Sequence, residues 1–122
     1  MNIQWSTFHT PYTENAVRRV VPTRSGVYLL WVKYKNGNWK CFYVGKSENL
    51  EERLLQHLST SEDNDCVKEN VRYTSGFYWA EVPRGSDRSG IEKALYDYYK
   101  TECNKNDPGG TPIHVNVPST PT

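Results

Sequence analysis

Residues 26–57 constrain the fold most strongly, because two strand-like segments, a turn and a helix pattern follow one another there without interruption. An apolar, partly β-branched segment covers Val27–Val32, and a second segment returns over Trp39–Val44. Between them, Asn36-Gly37 tolerates the positive φ angles that a type I′ turn requires. The sequence therefore predicts a β-hairpin over Gly26–Val44.

The length of the turn determines which side chains share a face of this hairpin. With a two-residue turn at Asn36-Gly37, Tyr28 lies opposite Gly45. The same register places Tyr43 opposite Leu30, so the two tyrosines become diagonal neighbours on one face. A slip of one residue would put the tyrosines on opposite faces, and the sequence leaves both registers open.

A helix is predicted directly after the hairpin, over Asn49–Leu58. Leucines recur within it at helical spacing, and Asn49 followed three residues later by Glu52 is a helix start signal. Arg53 and His57 are four residues apart and therefore share a face beside the leucines. Two phenols on the strands, with an arginine and a histidine on the adjoining helix, are suited to phosphate chemistry.

Two further elements complete the predicted fold. Phe77–Val82 is aromatic and β-compatible, so a third strand is expected within Val71–Val82. A second helix is expected over Ser89–Glu102, with Tyr98 in its apolar stripe and Glu92 beside that stripe. We expect three antiparallel strands with helices covering both faces, which is an α+β sandwich. One face would carry Val27, Leu29, Trp31, Phe42 and Val44, and the other Leu30 and Val32.

Composition fits one small globular domain. The chain has 122 residues, of which 36% are hydrophobic and 13% aromatic. We see no apolar run long enough to cross a membrane and no signal-peptide pattern, so a cytoplasmic location is expected. The net charge of +1 hides a basic first half, because residues 1–60 carry eight Lys and Arg against four Asp and Glu. The whole chain nevertheless lacks the strong basic bias of many nucleic-acid binders.

The cysteines and the acidic loop have bland interpretations. Cys41, Cys66 and Cys103 are widely spaced and odd in number, and none forms a C-x-x-C pair. This pattern argues against zinc and favours isolated reduced thiols. The segment 59–70 is interpreted as a loop, with a helical turn compatible near Cys66–Asn70. It is acidic from Glu62 onward, but it lacks the glycine and the terminal glutamate of a calcium loop. We therefore interpret it as solvated.

The combined pattern resembles the GIY-YIG endonuclease family. Gly26-Val27-Tyr28 stands for the first tripeptide and Tyr43-Val44-Gly45 for the second. Lys46, Asn49–Leu54 and His57 match the pattern that follows the second tripeptide in the family. The resemblance implies a small three-stranded sheet flanked by helices, and metal-dependent hydrolysis of DNA.

The resemblance also implies a division of the chain. Residues 1–24 would be a lead-in that packs on the core, residues 25–106 the nuclease domain, and residues 107–122 a tail rich in Pro and Gly. Within the lead-in, Ala16–Val21 is compatible with a short helix or an edge strand. Within the tail, alternating apolar residues from Ile113 to Val117 could add an edge strand.

Each side chain that matches the family takes an implied role. Tyr43 would act as the general base on a water molecule, with Tyr28 beside it and with nearby positive charge lowering the pKa of the phenol. Lys46 and Arg53 would supply that charge and hold phosphate oxygens. Glu92 would bind a single Mg²⁺, for which Mn²⁺ can substitute. The remaining residues are His57, for proton transfer or phosphate contact, and Asn104, which would orient neighbours and has Asn106 as its competitor.

Other functions stay open at this point. The chain could be a non-catalytic nucleic-acid-binding or interaction module on the same fold, or a structural domain. Metal-dependent cleavage would distinguish the nuclease, whereas salt-sensitive binding without cleavage would indicate the module. No zinc finger or helix-turn-helix is visible, so the expected partners include branched or structured DNA, a targeting protein or a second copy of the chain.

Overall fold

A computed structural model describes all residues from 1 to 122. Its sheet has three antiparallel strands in the order β2-β1-β3. The predicted α+β fold, a three-stranded antiparallel sheet flanked by helices, is confirmed. The elements are α1 (Glu14–Val20), β1 (Gly26–Lys33), β2 (Trp39–Ser47), α2 (Leu50–Leu58), α3 (Asp65–Asn70), β3 (Ser75–Glu81) and α4 (Gly85–Tyr99).

The turn of the hairpin differs from the predicted two-residue type I′ turn. The Gly37 N–H donates to the Tyr34 carbonyl at 2.9 Å, and the Tyr34 N–H donates to the Asn38 carbonyl at 2.8 Å. Gly37 has a φ of 88°. This is the three-residue hairpin loop that ends on a left-handed glycine. Glycine fits there because it has no Cβ to clash at positive φ.

A β-bulge restores the predicted pairing at the base of the hairpin. Leu30 pairs with Tyr43, but Trp31 pairs with Cys41, so Phe42 is the extra residue on β2. The bulge offsets the longer turn, and Tyr28 therefore lies opposite Gly45 as the shorter turn predicted. The prediction that Phe42 shares the face of Val27 and Trp31 is wrong, because the bulge turns it towards the opposite core.

Apolar cores cover both faces of the sheet, as the strand pattern predicts. Helices α1, α2 and α3 cover one face, and α4 covers the other together with the chain around Val115. In α4, Tyr99 packs against Trp31 with ring centroids 5.5 Å apart. Tyr98, which was predicted to lie in the apolar stripe, is 66% exposed. Helix α4 begins and ends earlier than predicted, and it ends at Lys100, which adopts the left-handed conformation and donates its N–H to the Tyr96 carbonyl.

Both ends of the chain lie against the sheet and its helices. The His9 N–H and carbonyl pair with Phe77 of β3 at 3.0 and 2.9 Å. The segment Ala16–Val21, for which the sequence allows a helix or a strand, is helical and belongs to α1. This helix begins after Thr13, whose hydroxyl accepts the Ala16 N–H. The chain from 113 to 117 forms no strand, although the Asn116 amide bonds the backbone N–H and carbonyl of Ile3.

The structure contains a disulfide between Cys66 of α3 and Cys103, which lies beyond α4. The prediction of isolated reduced thiols is therefore wrong for this pair and holds only for Cys41, which is buried and free. The sequence separation of 37 residues hides the pairing, whereas the fold brings the two Cα atoms to 5.2 Å. None of the helices is both long and apolar enough to cross a membrane.

Candidate active site

Two glycines at the base of the hairpin leave room for groups that a side chain would displace. A Cβ on Gly45 would lie 2.1 Å from Cζ of Tyr28, so the absence of a side chain on β2 makes room for the Tyr28 ring. A Cβ on Gly26 would lie 2.1 Å from the Ala80 carbonyl oxygen of β3. Both distances are far shorter than any real contact, so each position requires glycine.

A chain of three buried side chains lies beneath the site. The Tyr28 hydroxyl and His57 Nε2 are 2.7 Å apart, and His57 Nδ1 and Glu62 Oε2 are also 2.7 Å apart. The exposed fractions of Tyr28, His57 and Glu62 are 0%, 1% and 7%. The interpretation of the 59–70 loop as solvated is therefore wrong for Glu62. Burial of a carboxylate is costly unless it is hydrogen-bonded, and here the imidazole provides the bond.

Burial and neighbouring charge keep His57 neutral near pH 7. Burial lowers the pKa of His57, the Arg53 guanidinium lowers it further, and the Glu62 carboxylate opposes both effects without overcoming them. Burial also raises the pKa of Tyr28, which keeps this phenol protonated. The site thus holds a neutral imidazole between a protonated phenol and a carboxyl group.

Tyr43 lies between this buried chain and an open cleft. Its ring is stacked 6.1 Å from the Tyr28 ring and meets the His57 ring edge-on at 5.0 Å. Burial raises the pKa of Tyr43, whereas the Arg53 guanidinium acts in the opposite direction. Of the two cations expected to lower this pKa, Arg53 does so and Lys46 contributes nothing noticeable.

Lys46 instead faces Glu92 on helix α4. Its Nζ lies 3.8 Å from Glu92 Oε1 and donates to Ser89 Oγ at 3.0 Å. The Glu92 side chain is 14% exposed, and burial raises the pKa of its carboxyl while Lys46 lowers it. Its partly desolvated oxygens are hard ligands at the edge of an open cleft that water can enter. These properties fit a hard divalent cation, which is bound by carboxylates and waters.

Asn104 is tied to strand β2. Its Oδ1 accepts the Val44 N–H at 3.0 Å, and its Nδ2 donates to the Val44 carbonyl at 2.8 Å. The Thr101 hydroxyl donates to the same Oδ1. The amide therefore continues the backbone pairing of the strand edge. Asn106, the competing residue, is exposed and only lines the cleft.

The structure brings most of the predicted site residues to one cleft of about 370 Å³. Tyr43, Arg53, Glu92 and Asn104 line it, and Tyr28 and His57 lie buried behind Tyr43. Lys46 lies on the far side of Glu92, in a neighbouring depression. The sequence reasoning missed Glu62. The available signal was a carboxylate five residues after a histidine on the apolar side of a helix.

Comparisons with known proteins find relatives of this chain. A family model described as the GIY-YIG catalytic domain matches residues 24–106. UvrABC system protein C from Aquifex aeolicus (strain VF5) is 32% identical over 95 residues. That match covers 78% of this chain but only 16% of the relative, so the chain spans a small part of its length.

Solved structures show the same fold. Two point mutants of the GIY-YIG N-terminal endonuclease domain of UvrC from Thermotoga maritima, each bound to the catalytic divalent cation, superpose with a TM-score of 0.55. Their sequence identities to this chain are 21% and 20%, and each match covers 74% of this chain and 96% of the solved domain.

Proposed function

Because this chain belongs to the GIY-YIG family of endonuclease catalytic domains, we propose that it hydrolyses phosphodiester bonds of DNA with one Mg²⁺ ion. The observation that carries the proposal is the convergence of groups from β2, α2, α4 and the segment after α4 on one cleft. They provide a base, a cation, a hard metal ligand and a positioning amide. General bases, positive charge and bound metal ions are groups that lower the barrier to phosphodiester hydrolysis.

Tyr43 is the proposed general base. Its phenolate oxygen would take a proton from a water molecule, whose oxygen attacks the phosphorus as the bond to the 3′ oxygen breaks. Burial opposes formation of the phenolate, and the neighbouring Arg53 favours it. Arg53 itself stays charged, since the surrounding phenols raise its pKa despite partial burial.

Arg53 is also the proposed phosphate clamp. Its guanidinium lies at the wall of the cleft and has one exposed hydrogen bond, to Gln56 Oε1 at 3.2 Å. A planar fork with free donors can bind two phosphate oxygens at once. Lys46 is a second phosphate ligand in the proposal, placed beyond Glu92 where the DNA backbone would leave the cleft.

Glu92 is the residue that would hold the metal. When bound, Mg²⁺ would neutralise the charge that develops on the departing oxygen, and Mn²⁺ would support the same chemistry. Asn104 would keep the strand edge below Tyr43 in place through its two bonds to Val44. His57 would act on Tyr28 rather than on the phosphate, because it is fully buried and hydrogen-bonded to that phenol.

The proposed substrate is DNA that is recognised by its structure or through a partner, rather than by its sequence. The cleft is open and polar, and the contacts proposed in it go to phosphate and metal, which carry no sequence information. Branched or structured DNA, or DNA presented by a targeting protein or a second copy of the chain, therefore fits better than a defined sequence.

Cleavage of supercoiled plasmid and of labelled branched DNA, with Mg²⁺, Mn²⁺ or EDTA, tests the proposal. Tyr43→Phe and Glu92→Gln should each lose at least about 100-fold in rate, in line with the loss of general-base or metal catalysis. Matched controls are Tyr98→Phe and Glu69→Gln, which change exposed side chains away from the cleft. Salt-sensitive binding without cleavage by the wild-type protein would instead indicate a binding module.

A further inference from the structure

We propose that Glu62 is a positioning residue that holds His57 as the Nδ1–H tautomer and turns its Nε2 towards Tyr28. This inference rests on the proposed function in one respect only, namely that the oriented pair supports the Tyr43 site. The tautomer itself is a property of the folded chain and can be measured without DNA.

The donors and acceptors of the buried Tyr28–His57–Glu62 chain fit only one tautomer of His57. Glu62 as a carboxylate only accepts, so His57 Nδ1 must carry the hydrogen across the 2.7 Å contact. In a neutral imidazole Nε2 is then the acceptor, and the Tyr28 hydroxyl must donate to it across the other 2.7 Å contact. In the opposite tautomer the Tyr28 hydroxyl hydrogen would lose its acceptor, because the other group hydrogen-bonded to this hydroxyl, the Arg53 guanidinium, can only donate.

Glu62 is itself held in place by the loop that carries it. Its second oxygen, Oε1, accepts the Asn64 N–H at 2.9 Å. The Asn64 side chain in turn caps helix α3 through Val67 and donates to the Cys103 carbonyl at 2.9 Å. These hydrogen bonds tie the loop to α3 and to Cys103 and so keep the carboxylate directed at His57, as a partner that orients an imidazole must be.

A glutamine cannot replace this carboxylate. Glu62 accepts one N–H from His57 and one from Asn64, and each of its oxygens serves one of them. An amide has one acceptor and one donor end, so it would face one of these N–H groups with its own N–H. When the amide N–H faces His57 Nδ1, relief of the clash requires the other tautomer, in which Nε2–H points at Tyr28. When it faces the Asn64 N–H, the loop loses the bond that positions residue 62.

The consequence for the site follows from the stacking of the aromatic rings. His57 contacts the edge of Tyr43, and the Tyr28 ring stacks beside Tyr43. A reversed tautomer would turn the Tyr28 hydroxyl hydrogen away from His57 and disturb the surroundings of Tyr43. Carboxylates that orient metal-bound imidazoles typically change activity by about 10–100-fold when they are removed. By analogy we expect Glu62→Gln to lower the maximal cleavage rate by about that factor, with little change in DNA affinity.

Long-range proton–nitrogen NMR of ¹⁵N-labelled full chain tests the inference. The wild type should show His57 as the Nδ1–H form near pH 7, with the signals assigned by their loss in His57→Gln. Glu62→Gln should shift His57 towards the Nε2–H form and slow cleavage. Asp65→Asn, which removes an exposed carboxylate three residues further on, in the first turn of α3, is the control and should change neither signal nor rate.

The possible outcomes separate the inference from the proposed function. A wild-type His57 in the Nε2–H form, or a folded Glu62→Gln variant with an unchanged tautomer and rate, overturns the inference. If Glu62→Gln does not fold, the wild-type tautomer alone decides. A wild type that shows the expected tautomer but cleaves no DNA supports the positioning by Glu62 and refutes the nuclease proposal.

Discussion

Reduction of the Cys66–Cys103 disulfide should lower the free energy of unfolding by a large fraction of its total. The bond joins residues separated by 37 positions, for which loop-closure entropy in the unfolded chain corresponds to about 4 kcal/mol at 25 °C. Domains of this kind are stable by roughly 5–15 kcal/mol in all. The folded state should survive reduction, because hydrogen bonds from the Cys103 N–H to Phe42 and from Asn64 to the Cys103 carbonyl remain.

Urea unfolding of the oxidised and the reduced wild type measures this difference. The control is the double variant Cys66→Ala with Cys103→Ala, whose midpoint should not respond to reductant because its one remaining thiol, Cys41, is free and buried in either condition. An unchanged wild-type midpoint after reduction, verified by mass spectrometry, would refute the argument. An equal response of the double variant would show that the reductant acts elsewhere.

The remaining predictions concern the strands and the ionisable groups of the site. Gly45→Ala should cost on the order of 1–3 kcal/mol and most of the cleavage activity, because its Cβ would lie 2.1 Å from Tyr28. Gly37→Ala, where a Cβ would meet no atom within 4 Å, is the control and should affect stability alone. Burial raises the pKa of Tyr43, so the fraction of phenolate and the cleavage rate should both increase with pH above neutrality, and a flat profile between about pH 7 and 9 would exclude Tyr43 as the base. The pKa of His57 is lowered in the folded state, whereas a histidine in the unfolded chain has a pKa of about 6.5. Below that pH the unfolded chain therefore binds more protons than the folded chain. Stability should therefore fall as the pH drops through that value, and urea midpoints of His57→Gln should lack this component.

The helix that carries Arg53 and His57 was predictable because its signals are local. Asn49 accepts the Glu52 N–H at 3.1 Å, as its place three residues earlier predicts. Helical periodicity then brings Arg53 and His57 to the same side of α2 without any knowledge of the rest of the chain. The family resemblance added Glu92 and Asn104, which periodicity alone would have left among ordinary surface residues.

The register of the hairpin was predicted correctly from an incorrect turn. Asn-Gly suits both a two-residue turn and the end of a three-residue loop, so local chemistry does not choose between them. The longer loop occurs, and the bulge at Phe42 then offsets its extra residue. What supports the bulge is the complete burial of Phe42 in the core that α1, α2 and α3 cover, a tertiary environment that no local pattern marks.

Glu62 and the Cys66–Cys103 disulfide were missed because each depends on which segments the fold brings together, and no local pattern marks them. Residues proposed to contact the substrate belong to the family's sequence motif, so the motif identifies them. A carboxylate that supports His57 needs only to reach one imidazole nitrogen, and any loop that passes nearby can provide it. The loop of residues 59–64 passes there because Asn64 holds it to Cys103, next to the cleft residue Asn104. The acidic composition of that loop therefore predicted exposure, whereas hydrogen bonds to His57 and Asn64 allow the Glu62 carboxylate to be buried.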